Sequence, residues 1–146
     1  MQYREIFEET VNFFARSELS PRMNEEKNEI YVHAPLGRIY THCDLFIRFT
    51  VEAYSVDAYI DLESTDNETA MLKFINMVNL SSDGCTLALD DSHLLCRNSL
   101  TFEGATASLV RKSIYQPLYT LNLIAKGIKA VTGGDDPAHA YEIIFT

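Results

Sequence analysis

A chain of 146 residues that is 47% apolar and 23% charged has the make-up of one globular domain, and it lacks the polar, highly charged balance that keeps a chain disordered. A formal net charge of -9 argues against a general nucleic-acid binder, because duplex affinity rests on cations that displace counterions from phosphate. Cys43, Cys85 and Cys96 are an odd number of thiols; with no cationic-then-apolar leader and no apolar run of about 20 residues, they fit a protein of the reducing cytoplasm.

The N-terminal stretch Met1 to Leu19 reads as a helix, since Tyr3, Ile6, Phe7, Val11 and Phe14 recur at the spacing that gathers apolar groups on one face. It carries Glu5, Glu8, Glu9 and Glu18, and Ser20-Pro21 ends it. Arg22 to Asn28 is polar and reads as a connection. Ile30 to Val32, and Arg38 to Thr41 beyond Pro35-Leu36-Gly37, form one bent strand or a strand and an edge segment. Leu45, Ile47, Phe49 and Val51 then alternate with Phe46, Arg48, Thr50 and Glu52, which is the period of a half-buried strand. Tyr54, Val56, Ala58, Ile60 and Leu62 alternate in turn with Ser55, Asp57, Tyr59 and Asp61, so a hairpin turning near Glu52-Ala53 is expected.

Thr65-Asp66-Asn67-Glu68 fits a capping box, so a helix is expected from there, with Met71, Leu72, Phe74, Ile75 and Val78 on its apolar side and Ser81-Ser82-Asp83-Gly84 as its stop. Cys85 to Leu89 and Leu94 to Thr101 flank Asp90-Asp91-Ser92-His93 as a second hairpin. From Ala105 to Thr132 the chain has Arg111, Lys112, Lys126 and Lys129 and no Asp or Glu. That segment carries +4 in a chain of -9, so the other residues together carry -13. Val110, Ile114, Leu118, Leu121, Ala125 and Ile128 cluster on one side of a helix here. Arg111, Tyr115, Tyr119, Lys126 and Lys129 fall on another, which makes them a candidate protein interface toward an acidic surface. Pro117 lies inside and predicts a kink or two consecutive helices. Gly133-Gly134 ends the segment, and Asp136-Pro137 caps a last element that is a short helix or, over Tyr141 to Phe145, a strand.

No catalytic motif is present. His42-Cys43-Asp44 with His33 suggests metal ligands, but neighbours on a strand point to opposite faces, so at most His42 and Asp44 converge and no metal site is assigned. Cys85 and Cys96 are two buried thiols or, if close enough, a disulfide. The pairs Asp90-Asp91 and Asp135-Asp136 have turn and capping chemistry and lack calcium-loop spacing.

Helix, three strands, helix, two strands and a long C-terminal helix is an order that resembles type III secretion chaperones and the bacterial YbjN-like proteins. The texture of Phe74-Ile75-Asn76-Met77-Val78-Asn79, of the hairpin from Gly84 to Arg97 and of Gly134-Asp135-Asp136-Pro137-Ala138-His139-Ala140 is similar to the YbjN group. The resemblance spans roughly Tyr3 to Phe145. It implies one α+β domain with an antiparallel sheet and a short terminal helix, which dimerises and binds protein segments without cofactor or catalytic residues. The expectation is therefore a non-enzymatic, chaperone-like or regulatory homodimer with a protein partner, and with no nucleic-acid or membrane partner. The rival is a small-ligand binder or enzyme with a pocket between sheet and long helix, lined by residues such as His33, Tyr54 and Tyr59.

Overall fold

The alternating stretches become strands and the stretches of helical spacing become helices. The structure, a computed structural model, describes residues 1–63, 66–81 and 84–146. In chain order it runs α1 (Tyr3–Arg16), β1 (Arg22–Asn24), β2 (Glu29–Pro35), β3 (His42–Phe49), β4 (Ala53–Asp61), α2 (Glu68–Ser81), β5 (Thr86–Asp90), β6 (His93–Thr101), α3 (Ala107–Thr132) and α4 (Pro137–Ile143). The fold is α+β, with one antiparallel six-stranded sheet in the order β1-β2-β3-β4-β6-β5.

Two details of the strand region differ from the sequence expectation. The polar stretch Arg22 to Asn28 contains the edge strand β1, whose three residues are all exposed and therefore show no apolar alternation. Arg38 to Thr41 is neither strand nor edge segment but the β2–β3 turn, closed by Leu36 N donating to Thr41 O at 2.8 Å and Gly37 N to Tyr40 O at 3.0 Å. Ser64, Thr65, Ser82 and Asp83 lie outside the described residues, and with them the threonine of the expected capping box and part of the expected stop of α2. Asp91, at φ 53°, makes the left-handed turn between β5 and β6 that Asp tolerates. The last element is helical, with the Asp136 carboxylate accepting from Ala138 N and His139 N.

All the helices lie on one side of the sheet. Ile30, Val32, Leu45, Ile47, Tyr54, Val56, Ala58, Ile60, Leu94 and Cys96 point to that side and are buried. They meet Val110, Ile114, Leu121, Ile124 and Ile128 of α3 and Phe74 and Ile75 of α2, and each large side chain so buried contributes about 1.5–3 kcal/mol. Gly127 permits a close helix approach: a β-carbon there would stand 2.5 Å from Phe74 Cζ and 2.9 Å from Ile144 Cγ2.

Pro117 does not divide α3, which continues as one helix of 26 residues. A proline offers no N–H to the carbonyl four residues back, which here belongs to Ser113. Asn98 on β6 supplies the missing donor, its Nδ2 lying 3.4 Å from Ser113 O. The Ser113 hydroxyl donates in turn to Val110 O at 2.7 Å and lies 2.6 Å from the Tyr54 hydroxyl on β4. The break expected from sequence is thus offset by two adjacent strands of the sheet.

On β5, an edge strand, the Asn79 side chain from α2 both accepts from Leu87 N at 2.9 Å and donates to Leu87 O at 3.0 Å. An amide side chain occupies there the groups that a further strand would use.

Asn98→Ala leaves Ser113 O without its donor and should cost about 1 kcal/mol in urea unfolding. With Pro117→Ala, which restores an N–H at that turn, the same Asn98→Ala change should cost less than half as much. Equal losses in both backgrounds would show that the amide does not serve the proline gap.

Candidate protein-binding surface

The inward stripe of α3 fixes which residues face outward. Arg111, Tyr115, Tyr119, Lys126 and Lys129 are all exposed along the outer side of the helix. The Tyr115 and Tyr119 rings stack with centroids 6.2 Å apart and an interplanar angle of 29°. The five are not equally available. Arg111 Nη1 donates to Glu9 Oε1 at 2.8 Å, which ties α3 to the glutamate-rich α1 of the same chain, and Lys129 is paired with Glu63. Lys126 stands beside the tyrosines in a shallow hollow of about 300 Å³ that Ile39, Asn122, Leu123 and Ile144 also line.

Leu123 and Ile39, 51% and 41% exposed, extend the apolar part of this surface and were not among the sequence candidates. Leu123 lies eight residues after Tyr115 and four after Tyr119, so helical spacing alone could have found it. Ile39 comes from the β2–β3 turn, which reaches α3 because Gly37 is seated against Asn122 where a β-carbon would overlap it. Spacing along the chain carries no signal for that contact.

The opposite face of the sheet is uncovered and holds the second concentration of functional groups. Glu29, Arg48, Asp57 and Arg97, one from each of β2, β3, β4 and β6, form a single ionic clasp across the strands. Arg97 Nε and Nη2 grip the two Asp57 oxygens at 2.7 and 2.9 Å, Arg48 Nη1 adds a bond of 2.6 Å, and Arg48 Nε reaches Glu29 at 2.9 Å. The Asp57 side chain is fully buried beneath these groups. Arg48 also lies over the Phe46 ring at 4.8 Å, and Phe46 packs on Tyr31 and Tyr59. Beside the clasp, Asp44 accepts from Tyr31 Oη at 2.6 Å and lies 3.2 Å from His33 Nδ1. Partial burial works to raise the Asp44 carboxyl, but the bonds from Tyr31 and His33 outweigh it and hold it below its ordinary value, while Asp44 pushes the Tyr31 phenol up.

The proposed metal ligands separate by strand parity. His42 is exposed and stacks on His33, whereas Cys43 is buried on the helix side, its thiol pushed up to about 12 by burial and the nearby Asp44. Among the described residues no three His, Cys, Asp or Glu side chains are placed to hold a metal ion. Cys85 and Cys96 are buried thiols that share a hydrogen bond. That bond draws Cys85 below its ordinary value and, together with burial, pushes Cys96 up.

The pocket of the rival reading, between sheet and long helix and lined by His33, Tyr54 and Tyr59, does not assemble. Tyr54 is on the helix side, where its hydroxyl meets Ser113, and His33 and Tyr59 are on the uncovered face. The larger hollows among the described residues lie elsewhere, one of about 620 Å³ between the starts of α2 and α4 and one of about 570 Å³ lined by Met1, Val51 and Phe102. The clasp, by contrast, makes a measurable demand. Asp57→Ala leaves two partly buried guanidinium groups without their shared carboxylate and should cost about 3 kcal/mol in chemical unfolding, whereas Asp57→Asn, which still accepts, should cost less.

No protein-family model matches the chain, and no curated protein matches it. Among solved structures it is similar to YbjN from Escherichia coli, described as a proposed transcription regulator, with 14% identity and a TM-score of 0.58 over 85% of this chain and 90% of that one. The order of elements read from the sequence and the observed architecture agree in giving this chain the YbjN-like fold.

Proposed function

We propose that this protein is a non-enzymatic binding module, chaperone-like or regulatory, which acts as a homodimer in the cytoplasm and holds a segment of a partner protein. The observation that carries the reading is the outer face of α3, where Tyr115, Tyr119 and Leu123 remain more than half exposed on a helix whose other side is fully buried. Tyrosines that pair a large apolar body with a polar tip are frequent anchors at interfaces. The description of YbjN as a regulator accords with a binding role. Nothing in the arrangement of Asp44, Asp57, His33 or the thiols couples a nucleophile to a base beside a cavity, and no helix among the described residues is long and apolar enough to cross a membrane. Nucleic acid is disfavoured because Glu9 and Glu63 already neutralise Arg111 and Lys129.

Purified protein should show no turnover of a panel of phosphoesters, esters and nucleotides, and in extract of its own cells it should retain a discrete protein that Tyr115→Ala/Tyr119→Ala releases. Sedimentation should give twice the monomer mass. Turnover abolished by one point substitution would overturn the reading.

A further inference from the structure

We propose, building on the protein-binding reading above, that the outer face of α3 receives an acidic amphipathic helix from a different protein and not a second copy of this chain. Tyr115, Tyr119 and Leu123 form the apolar centre, with Ile39 alongside. Lys112 and Lys126 stand at its two ends, both exposed and without a carboxylate partner among the described residues, and Arg38 is exposed next to Ile39. From Arg111 to Lys126 this strip measures about 22 Å, the length of a helix of about 15 residues. Such a helix, with apolar residues on one side and glutamates or aspartates flanking them, would place its carboxylates beside both lysines while its apolar side covers the tyrosines.

Charge excludes the alternatives at this face. Two copies meeting through α3 would set cations against cations at both ends, whichever way the helices run. Two of the three glutamates of α1 are already engaged, Glu9 with Arg111 and Arg16 and Glu5 with Gln2 N at the start of its own helix, which leaves Glu8 alone to face a second copy. The dimer therefore uses another surface. Large polyanions such as duplex DNA or an anionic bilayer would meet the -13 carried by the rest of the molecule.

The test uses two labelled synthetic helices with the same leucine face, one flanked by glutamates and the other by lysines, titrated with the intact protein in fluorescence anisotropy. The acidic peptide should bind at least about ten-fold more tightly at low salt, and the gap should shrink as salt is raised. Lys112→Glu/Lys126→Glu should close the gap with an unchanged circular dichroism spectrum, and Tyr115→Ala/Tyr119→Ala should weaken both peptides. Equal or tighter binding of the lysine peptide, still lost in the tyrosine variant, would overturn the acidic partner and leave the binding-module reading standing. Failure of both peptides to bind would overturn the inference, while the pull-down decides the broader reading independently. A dimer dissociated by Tyr119→Ala/Lys126→Glu would give the face to a second copy and overturn it. So would tighter binding of phosphatidylglycerol vesicles or single-stranded DNA that the lysine variant abolishes.

Discussion

The seating of α3 on the sheet at Ser113 and Pro117 sets which side of the helix faces solvent. Tyr54 from β4 meets the serine hydroxyl, and Asn98 from β6 takes the carbonyl that the proline leaves open, so two neighbouring strands hold one turn of the helix from below. With Ser113 and Pro117 directed inward, residues two positions further along are rotated by about 200° and must face solvent. Those residues are Tyr115 and Tyr119. A proline that would ordinarily weaken a helix here fixes its rotation, because the unpaired carbonyl is useful only when it faces the asparagine. The outward tyrosines follow from that constraint.

A sheet covered on one side only has to make its other face tolerable to water, and this one does so with paired charge laid over aromatic rings. Asp57 between Arg48 and Arg97, and Glu29 beyond, satisfy one another across four strands, while Tyr31, Phe46 and Tyr59 are half-buried beneath and beside them. Groups that already have their partners gain little from a new one, since binding there would first require desolvating a satisfied network. The β5 edge is closed in the same spirit by Asn79 at Leu87. The outer side of α3 differs because, among the described residues, its lysines at 112 and 126 have no carboxylate partner and its aromatic rings are not roofed by arginine. Two surfaces rich in tyrosine and cation thus have opposite capacities for a partner.

How much of this was legible in the sequence depended on whether the signal was local. The alternation of Leu45, Ile47 and Phe49 located β3, although Val51, the next in phase, is exposed in the turn beyond it, and the stripe of Val110, Ile114, Leu118, Leu121, Ala125 and Ile128 located the inward side of α3, with Leu118 only half-buried, because each pattern is an image of one element's own surface. The same parity argument would have separated Tyr54 from Tyr59, which lie on opposite phases of β4, and so removed the rival pocket. The clasp was beyond reach. Arg97 stands directly opposite Asp57 only through the β4–β6 pairing, 40 residues apart in sequence, and nothing along the chain announces that β6 and not β5 lies beside β4. Asn98 at Ser113 and Ile39 beside Tyr119 are of the same kind, contacts between elements that the order of elements does not determine. The short β1 was missed for a different reason, as a strand with no buried side chain leaves no apolar mark.

Distance decides what kind of anion the basic face can distinguish. Lys112 and Lys126 are separated by 14 helical steps, about 21 Å, which is more than twice the screening length of about 8 Å at physiological ionic strength. Each lysine therefore acts on its own neighbourhood, and a compact anion such as a free phosphate would feel one of them at a time. An exposed single pairing of that kind contributes at most about 1 kcal/mol, which is too little to hold a ligand in water. Only an extended partner with carboxylates at both ends and apolar groups between them can add two such pairings to the burial of Tyr115, Tyr119 and Leu123. For the partner proposed above, the apolar centre would supply most of the affinity, and the lysines would determine which partner is admitted.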